Sequence, residues 1–201
     1  MEQIIIVGGF HEMIELCEDA GREVIGILDL VDDTSYLGYP ILGKDENADE
    51  ILKKYPSVQL IFSPDLPAVR KKLHLQVYNN HINKITTIIH PSATISRRAT
   101  IGKGVVICNH VNISSQVKIG DFVRCNTYAN IMHDSTIGNY VTIAPNAVIL
   151  GNCIINESAY IGANATLLPG MQIGIGATIG AGSVITRHVP VHTIVKGVPA
   201  K

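Results

Sequence analysis

From Ile89 to Val191 an aliphatic residue recurs at every sixth position. The column reads Ile89, Ile95, Ile101, Ile107, Ile113, Ile119, Cys125, Ile131, Ile137, Ile143, Ile149, Ile155, Ile161, Leu167, Ile173, Ile179, Ile185 and Val191, with Cys125 the single departure from Ile, Leu and Val. Two residues earlier stands a small or medium side chain, as at Ala93, Val105, Ala147, Ala165 and Ser183, and glycine often follows, as at Gly102, Gly120, Gly138, Gly162, Gly174 and Gly180. A period of six fits neither the helical repeat nor the two-residue alternation of a long strand. It is the signature of a parallel β-helix, in which each hexad supplies a short strand and a corner and three hexads close one coil. The aliphatic column is expected to point inward and stack on itself about 4.8 Å per coil. Glycine and asparagine are expected to supply positive φ at the corners. No hexad is interrupted, so the flat faces are left to do the binding. Both ends of such a prism expose unpaired backbone. The segment before the repeat can cover one end, and the segment after Val191 can cover or leave the other. The long faces suit side-by-side association into a ring.

The preceding residues alternate between strand and helix patterns. Ile4 to Val7 is a wholly apolar run, as in a parallel strand buried on both faces. Gly8 and Gly9 turn the chain, and Met13, Ile14, Leu16, Cys17 and Ala20 follow at helical spacing up to Gly21. Val24 to Leu28 reads as a second strand, Ala48 to Lys54 as a helix, Val58 to Phe62 as a third strand and Pro67 to about Val77 as a helix. This βαβαβα order implies a small Rossmann-like, doubly wound parallel sheet over residues 1–85, followed by the β-helix over 86–191 and a tail over 192–201. Ligands of such sheets bind at the carboxyl ends of the strands. Those ends here offer Gly8, Gly9, Phe10 and His11 after the first strand, Asp29 after the second and Ser63 after the third. Paired glycines let a phosphate approach a helix N-terminus, and Asp29 can accept hydrogen bonds from a ribose or a base.

Composition excludes several function classes. Of 201 residues, 46% are hydrophobic and 16% charged, which is enough apolar side chain for a packed core. Sixteen Lys and Arg against seventeen Asp and Glu leave no cationic surplus for nucleic acid. No apolar run reaches the roughly 18 residues of a spanning helix, so no membrane insertion is expected. The opening MEQIIIVGG carries no cationic leader. Cys17, Cys108, Cys125 and Cys153 form no zinc spacing. Reduced thiols, a cytoplasmic location and no bound metal are therefore expected.

The runs NTYANIMHDSTIG at 126–138 and IAPNAVILG at 143–151, with the closing GVPAK, resemble the bacterial hexapeptide acyltransferases that acetylate nucleotide-linked amino sugars. These are often grouped with the sialic acid O-acetyltransferases. The resemblance covers the whole chain. It implies left-handed winding, a homotrimer with sites between subunits, and acetyl-CoA as co-substrate along the groove between adjacent prisms, near Gly151, Ala163, Gly180 and Pro199. It further implies a nucleotide-linked amino sugar as acceptor, such as a 4-amino-4,6-dideoxy sugar for surface glycan synthesis, held by the N-terminal domain. Asn126 matches the family's asparagine near the histidine, and His11 aligns loosely with the family's histidine after the glycine pair.

Acetyl transfer to an amine needs a base for the proton, a donor for the developing oxyanion and a proton for the departing thiolate. An imidazole suits both proton steps near neutrality, and His133 is the candidate, with Asp134 to fix its tautomer. Neighbours on a strand face opposite ways, so this pair works only at a corner. One coil after His133 comes Gly151, whose N–H is then placed as oxyanion donor. Cys125 and Cys153 fall on inward positions, so direct transfer is expected. Rival readings are a sugar O-acetyltransferase, a metal-dependent carbonic anhydrase of the same repeat class and a non-catalytic trimeric scaffold.

Overall fold

A computed structural model describes residues 2–31 and 33–201. The N-terminal part is a five-stranded sheet built from β1 (Gln3–Val7), β2 (Glu23–Leu28), β3 (Ser35–Tyr36), β4 (Tyr39–Gly43) and β5 (Gln59–Phe62), in the order β3-β4-β2-β1-β5. β1 pairs in parallel with β2 and β5, β2 in parallel with β4, and β3 antiparallel with β4. Helices α1 (His11–Asp19) and α2 (Ala48–Lys54) connect them, α3 (Pro67–Lys72) follows β5, and a π turn, Leu73–Val77, continues α3. The hairpin of β3 and β4 was not read from the sequence. Its turn places Leu37 and Gly38 at φ 50° and 84°, and a leucine is seldom the residue that adopts such a conformation.

The repeat forms eighteen two-residue strands, from Ile88–Ile89 to Ile194–Val195, in three parallel sheets of six, five and seven strands. Register advances by one coil, so that Ile113 pairs with Ile131 and Ile131 with Ile149. The aliphatic column and the residues two before it make one continuous core, including Cys125 and Cys153.

Four expectations are corrected. First, the periodic column does not run to Val191, which is 57% exposed. The corner at Arg187 and His188 is two residues short, so Val189 bridges Ile173 and Val195 pairs with Ile179. The last strand therefore lies within the segment read as a tail. Second, the N-terminal part does not cap the open end. The first coil keeps Ile89 39% exposed, while the buried Val106, Arg124 and Thr142 on the outer side of the seven-stranded sheet meet the N-terminal part. Ile85 bridges Leu60 of β5, and the first coil begins three residues later. The αβ part is thus laid along a flank of the prism. Third, the glycines after the aliphatic column do not supply positive φ. A Cβ on Gly102 would stand 2.6 Å from the carbonyl carbon of Gly120, and one on Gly138 2.7 Å from the Glu157 nitrogen, so these residues are small because coils approach closely. Fourth, positive φ falls at a later corner position, where Gly104, Gly170, Gly176 and Gly182 and the asparagines Asn146, Asn152 and Asn164 supply it as expected, but where His110, Gln116, Phe122, Tyr128, Asp134 and Tyr140 adopt it too. The stacked coil imposes this backbone conformation on residues that rarely choose it alone.

Candidate acyl-transfer site

His133 and Asp134 occupy the corner after the inward Ile131, as adjacent residues must if both are to face one cleft. The His133 ring is 53% exposed, and its Nδ1 lies 2.8 Å from Asp134 Oδ2. Asp134 has φ 60°, which swings its carboxylate back toward the ring. Below lies Gly151. A Cβ there would be 2.6 Å from His133 Cε1 and 2.7 Å from Nε2, so the imidazole occupies the space that a side chain would fill. The Asn152 amide donates to the His133 carbonyl at 3.0 Å, and Gly170 N to the Gly151 carbonyl at 2.9 Å, which locks the register of this edge. The buried Gly151 N–H has no acceptor among the described residues.

Asn126 is not brought to His133. It sits on the next prism edge, where its Nδ2 donates to Asp65 Oδ1 at 2.9 Å and its Oδ1 accepts from Arg124 Nε at 2.8 Å. Ala163 and Gly180 lie on that same edge, as the Gly182 amide donates to the Ala163 carbonyl at 2.8 Å. The end of the chain folds onto it. Val184 N donates to the Gly197 carbonyl at 3.1 Å and Ala200 N to the Val184 carbonyl at 2.9 Å, with Pro199 exposed alongside. His133, Asp134 and Gly151 therefore lie on one edge of the prism and Asn126, Ala163, Gly180 and Pro199 on another, separated by a sheet face, so Gly151 alone of the coenzyme A candidates adjoins the histidine.

Two of the N-terminal candidates line a cavity of about 670 Å³ at the carboxyl ends of β1 and β2, and Gly9, Phe10, His11 and Ser63 do not. Gly8 and Asp29 line it, together with Asp45, Pro64, Val69, Lys72 and Gln76. Asp29 holds the glycine turn closed, because its Oδ2 accepts from Gly9 N at 2.5 Å and its Oδ1 from Leu30 N at 2.6 Å. On the far wall Tyr78 donates to Asp45 at 2.7 Å, and burial holds the Asp45 carboxyl above its ordinary range. The first turn of α1 has no side-chain cap, since Phe10 occupies that position. His11 is exposed, packs tilted against Phe10 with centroids 4.7 Å apart and does not line the cavity.

Burial pushes the Cys125 thiol up to about 12, which makes it an inert core residue. Three further histidines are held structurally: His90 by Asp19 at 3.1 Å, His110 stacked on Tyr128 and His188 by the Gln172 amide. No group of three or more His, Cys, Asp or Glu arranged to hold a metal occurs among the described residues, and no helix there is long and apolar enough to cross a membrane. Sequence reasoning missed Asp65, Arg70 and Arg124. Arg70 stands in the run Arg70-Lys71-Lys72, which reads as a solvated cationic face, and nothing local reveals that its first member is buried.

Comparison with known proteins agrees with this architecture. Residues 116–151 match the family described as bacterial transferase hexapeptide (six repeats). No curated protein sequence matches the chain. Among solved structures, the chain is similar to PerB from Caulobacter crescentus, crystallised with CoA and GDP-perosamine, at 30% identity over 100% of this chain and 97% of that one, with a TM-score of 0.90. The acetyltransferase domain of PglB from Neisseria gonorrhoeae matches at 27% identity over 100% and 99% of the two chains, with a TM-score of 0.89. WeeI from Acinetobacter baumannii matches at 29% identity over 100% and 99%, with a TM-score of 0.88. With a full-length relative at this identity, a hexapeptide prism and a sheet-end cavity beside it, the chain belongs to the hexapeptide-repeat sugar acetyltransferase family and is an acyltransferase.

Proposed function

We propose that this enzyme transfers the acetyl group of acetyl-CoA to the amine of a nucleotide-linked 4-amino-4,6-dideoxy sugar, with His133 as general base. The observation that carries the reading is an imidazole seated over a bare Gly151 with its Nδ1 anchored on Asp134. With the proton on Nδ1 donated to Asp134, Nε2 is left basic and open to the acceptor amine. The amine nitrogen attacks the thioester carbonyl carbon while Nε2 takes its proton. The carbonyl oxygen, now negative, is met by the unpartnered Gly151 N–H, a donor of a kind worth roughly 3 to 4 kcal/mol elsewhere. As the C–S bond breaks, His133 returns the proton to the leaving sulfur, and the amide bond is complete. No covalent enzyme intermediate is required, in keeping with the buried thiols.

The cavity at Gly8 and Asp29 is the proposed seat of the nucleotide, with the sheet around it a Rossmann-like domain over 1–85. Ala163, Gly180 and Pro199 are the proposed contacts for coenzyme A. Because they lie one face away from His133, a second prism must set this edge beside the histidine edge of the first. The family resemblance supplies the assembly that meets this requirement, a homotrimer of left-handed helices with three sites between chains. PerB, crystallised with CoA and GDP-perosamine, and the PglB domain, crystallised with acetyl coenzyme A, support both halves of the reading.

A panel of nucleotide sugars with acetyl-CoA tests it. Turnover of amino sugar nucleotides and not of their hydroxyl counterparts is expected. Preference for the hydroxyl sugars would assign O-acetylation instead. Absence of turnover with no thermal shift on adding CoA would leave a scaffold, since a bound co-substrate stabilises by mass action.

A further inference from the structure

Two arginines are buried between the N-terminal part and the prism, Arg70 at 1% and Arg124 at 3% exposure. Arg70 belongs to α3, whose Val69 and Lys72 line the cavity, yet its guanidinium points the other way. Nε donates to the Phe122 carbonyl at 3.0 Å, and Nη2 to the carbonyls of Tyr140 at 2.8 Å and Val141 at 3.1 Å and to Thr142 Oγ1 at 2.9 Å. Nη1 turns back to the carbonyls of Pro64 at 2.9 Å and Asp65 at 2.6 Å. Arg124, on the prism strand Arg124–Cys125, donates Nη1 to the Ser63 carbonyl at 2.8 Å. Thr142 Oγ1 donates to the Asp65 carbonyl at 2.6 Å, and the Asp65 carboxylate accepts from Asn126 at 2.9 Å and Tyr160 at 3.1 Å. Three successive carbonyls at the carboxyl end of β5, those of Ser63, Pro64 and Asp65, are thus fixed by donors anchored on the prism.

This loop contributes to the wall of the cavity through its middle residue. Pro64 lines it, and the proline ring stands 3.3 Å from where a Cβ on Gly8 would be. Arg70 has no carboxylate within ion-pair distance among the described residues. Burial, with Arg124 nearby, lowers its pKa to about 10. Isolated buried charge is costly, and an apolar contact of equal volume would hold two surfaces together at least as well. A planar five-donor fork specifies something an apolar contact does not, namely the position of each carbonyl it binds.

Resting on the proposed function, we infer that Arg70, with Arg124 and Thr142, is a positioning device for the nucleotide half of the substrate. It sets the Ser63–Asp65 wall, and through it the Gly8 turn, at a fixed place relative to the prism that carries the acyl-transfer edge. These side chains touch neither reacting atom.

The test is steady-state kinetics on Arg70→Lys, which keeps the charge and loses the fork, and on Thr142→Val, which deletes one hydroxyl. The assay varies the nucleotide amino sugar and acetyl-CoA separately. Arg70→Lys is expected to raise KM for the nucleotide sugar about tenfold, as for the loss of one or two buried charge-assisted hydrogen bonds. KM for acetyl-CoA should stay within about twofold. Thr142→Val should move the same constant in the same direction by a smaller factor, and it decides the matter if Arg70→Lys does not fold. A drop in Tm with both KM values unchanged, or with both raised alike, would make the cluster a structural joint only and overturn the inference. If the wild type turns over no nucleotide amino sugar, the functional reading fails, and amide hydrogen exchange still decides on the wall. Protection of the Ser63 amide, which donates to the Val7 carbonyl at 2.9 Å, equal in wild type and Arg70→Lys would contradict the inference, whereas selective loss of protection there would uphold it.

Discussion

Gly151→Ala separates the role of the His133 corner from its contribution to the fold. The backbone at Gly151 is outside the left-handed region, so alanine meets no conformational barrier. It even gains about 0.4 to 1 kcal/mol from restricting the unfolded chain. The obstacle is the new methyl, placed 2.6 Å from His133 Cε1 and 2.7 Å from Nε2. Ordinary carbon contact is near 3.5 Å, so the ring must retreat by about 0.9 Å. The imidazole is half exposed and has solvent to move into, so the retreat is cheap for stability. It pulls Nε2 off the line of attack and loosens the Nδ1 bond to Asp134. A misplacement of about 1 Å costs about a hundredfold in rate. We therefore expect kcat to fall about a hundredfold while Tm moves by less than about 4 °C, measured by free-thiol release and by thermal denaturation. Activity within about threefold of wild type, under 0.7 kcal/mol of barrier, would refute the reasoning.

Ile149→Ala removes a fully buried member of the inward column and should cost about 2 to 5 kcal/mol. The same change at Ile89, in the uncovered first coil, should cost under half as much, and equal losses in denaturant unfolding would contradict the open end. Asp29→Ala frees the Gly9 and Leu30 amides and should raise KM for the nucleotide sugar several-fold without changing KM for acetyl-CoA; a change in both would count against the cavity as the nucleotide seat. His74 stacks on Phe122 at 4.3 Å, and burial holds its pKa below the ordinary range. As pH falls below about 6.5 the unfolded chain takes up the proton first, so stability declines with acidification in that window. His74→Phe should flatten this part of the Tm against pH curve, and an unchanged slope would assign it to another group.

The period of six made the prism legible, because every coil repeats the same burial demand and Ile131, Ile149 and Leu167 must share one column. It also put Gly151 beside His133, a three-dimensional statement drawn from spacing alone. The pattern failed at Arg187, where the corner is shortened by two residues and periodicity has nothing further to say. It read the glycines only in part, since Gly104, Gly170, Gly176 and Gly182 take positive φ while Gly102, Gly120 and Gly138 serve close approach between coils, and the two demands select the same residue for different reasons. The placement of Asn126 was not legible either. Its partners Asp65 and Arg124 are, in sequence, an exposed-looking acid and a base on an amphipathic strand, and only the docking of the N-terminal part against one flank brings them together. Arg70 was hidden most completely, because burial of a charge depends on carbonyls of residues 64, 65, 122, 140 and 141, which carry no side-chain signature.

The most direct measurement is steady-state and thermal analysis of His133→Ala with acetyl-CoA and an amino sugar nucleotide. The account predicts that kcat falls by about three orders of magnitude or more, with Tm and the CoA-induced thermal shift preserved. Retained turnover, or a loss of stability in step with the loss of rate, would contradict it.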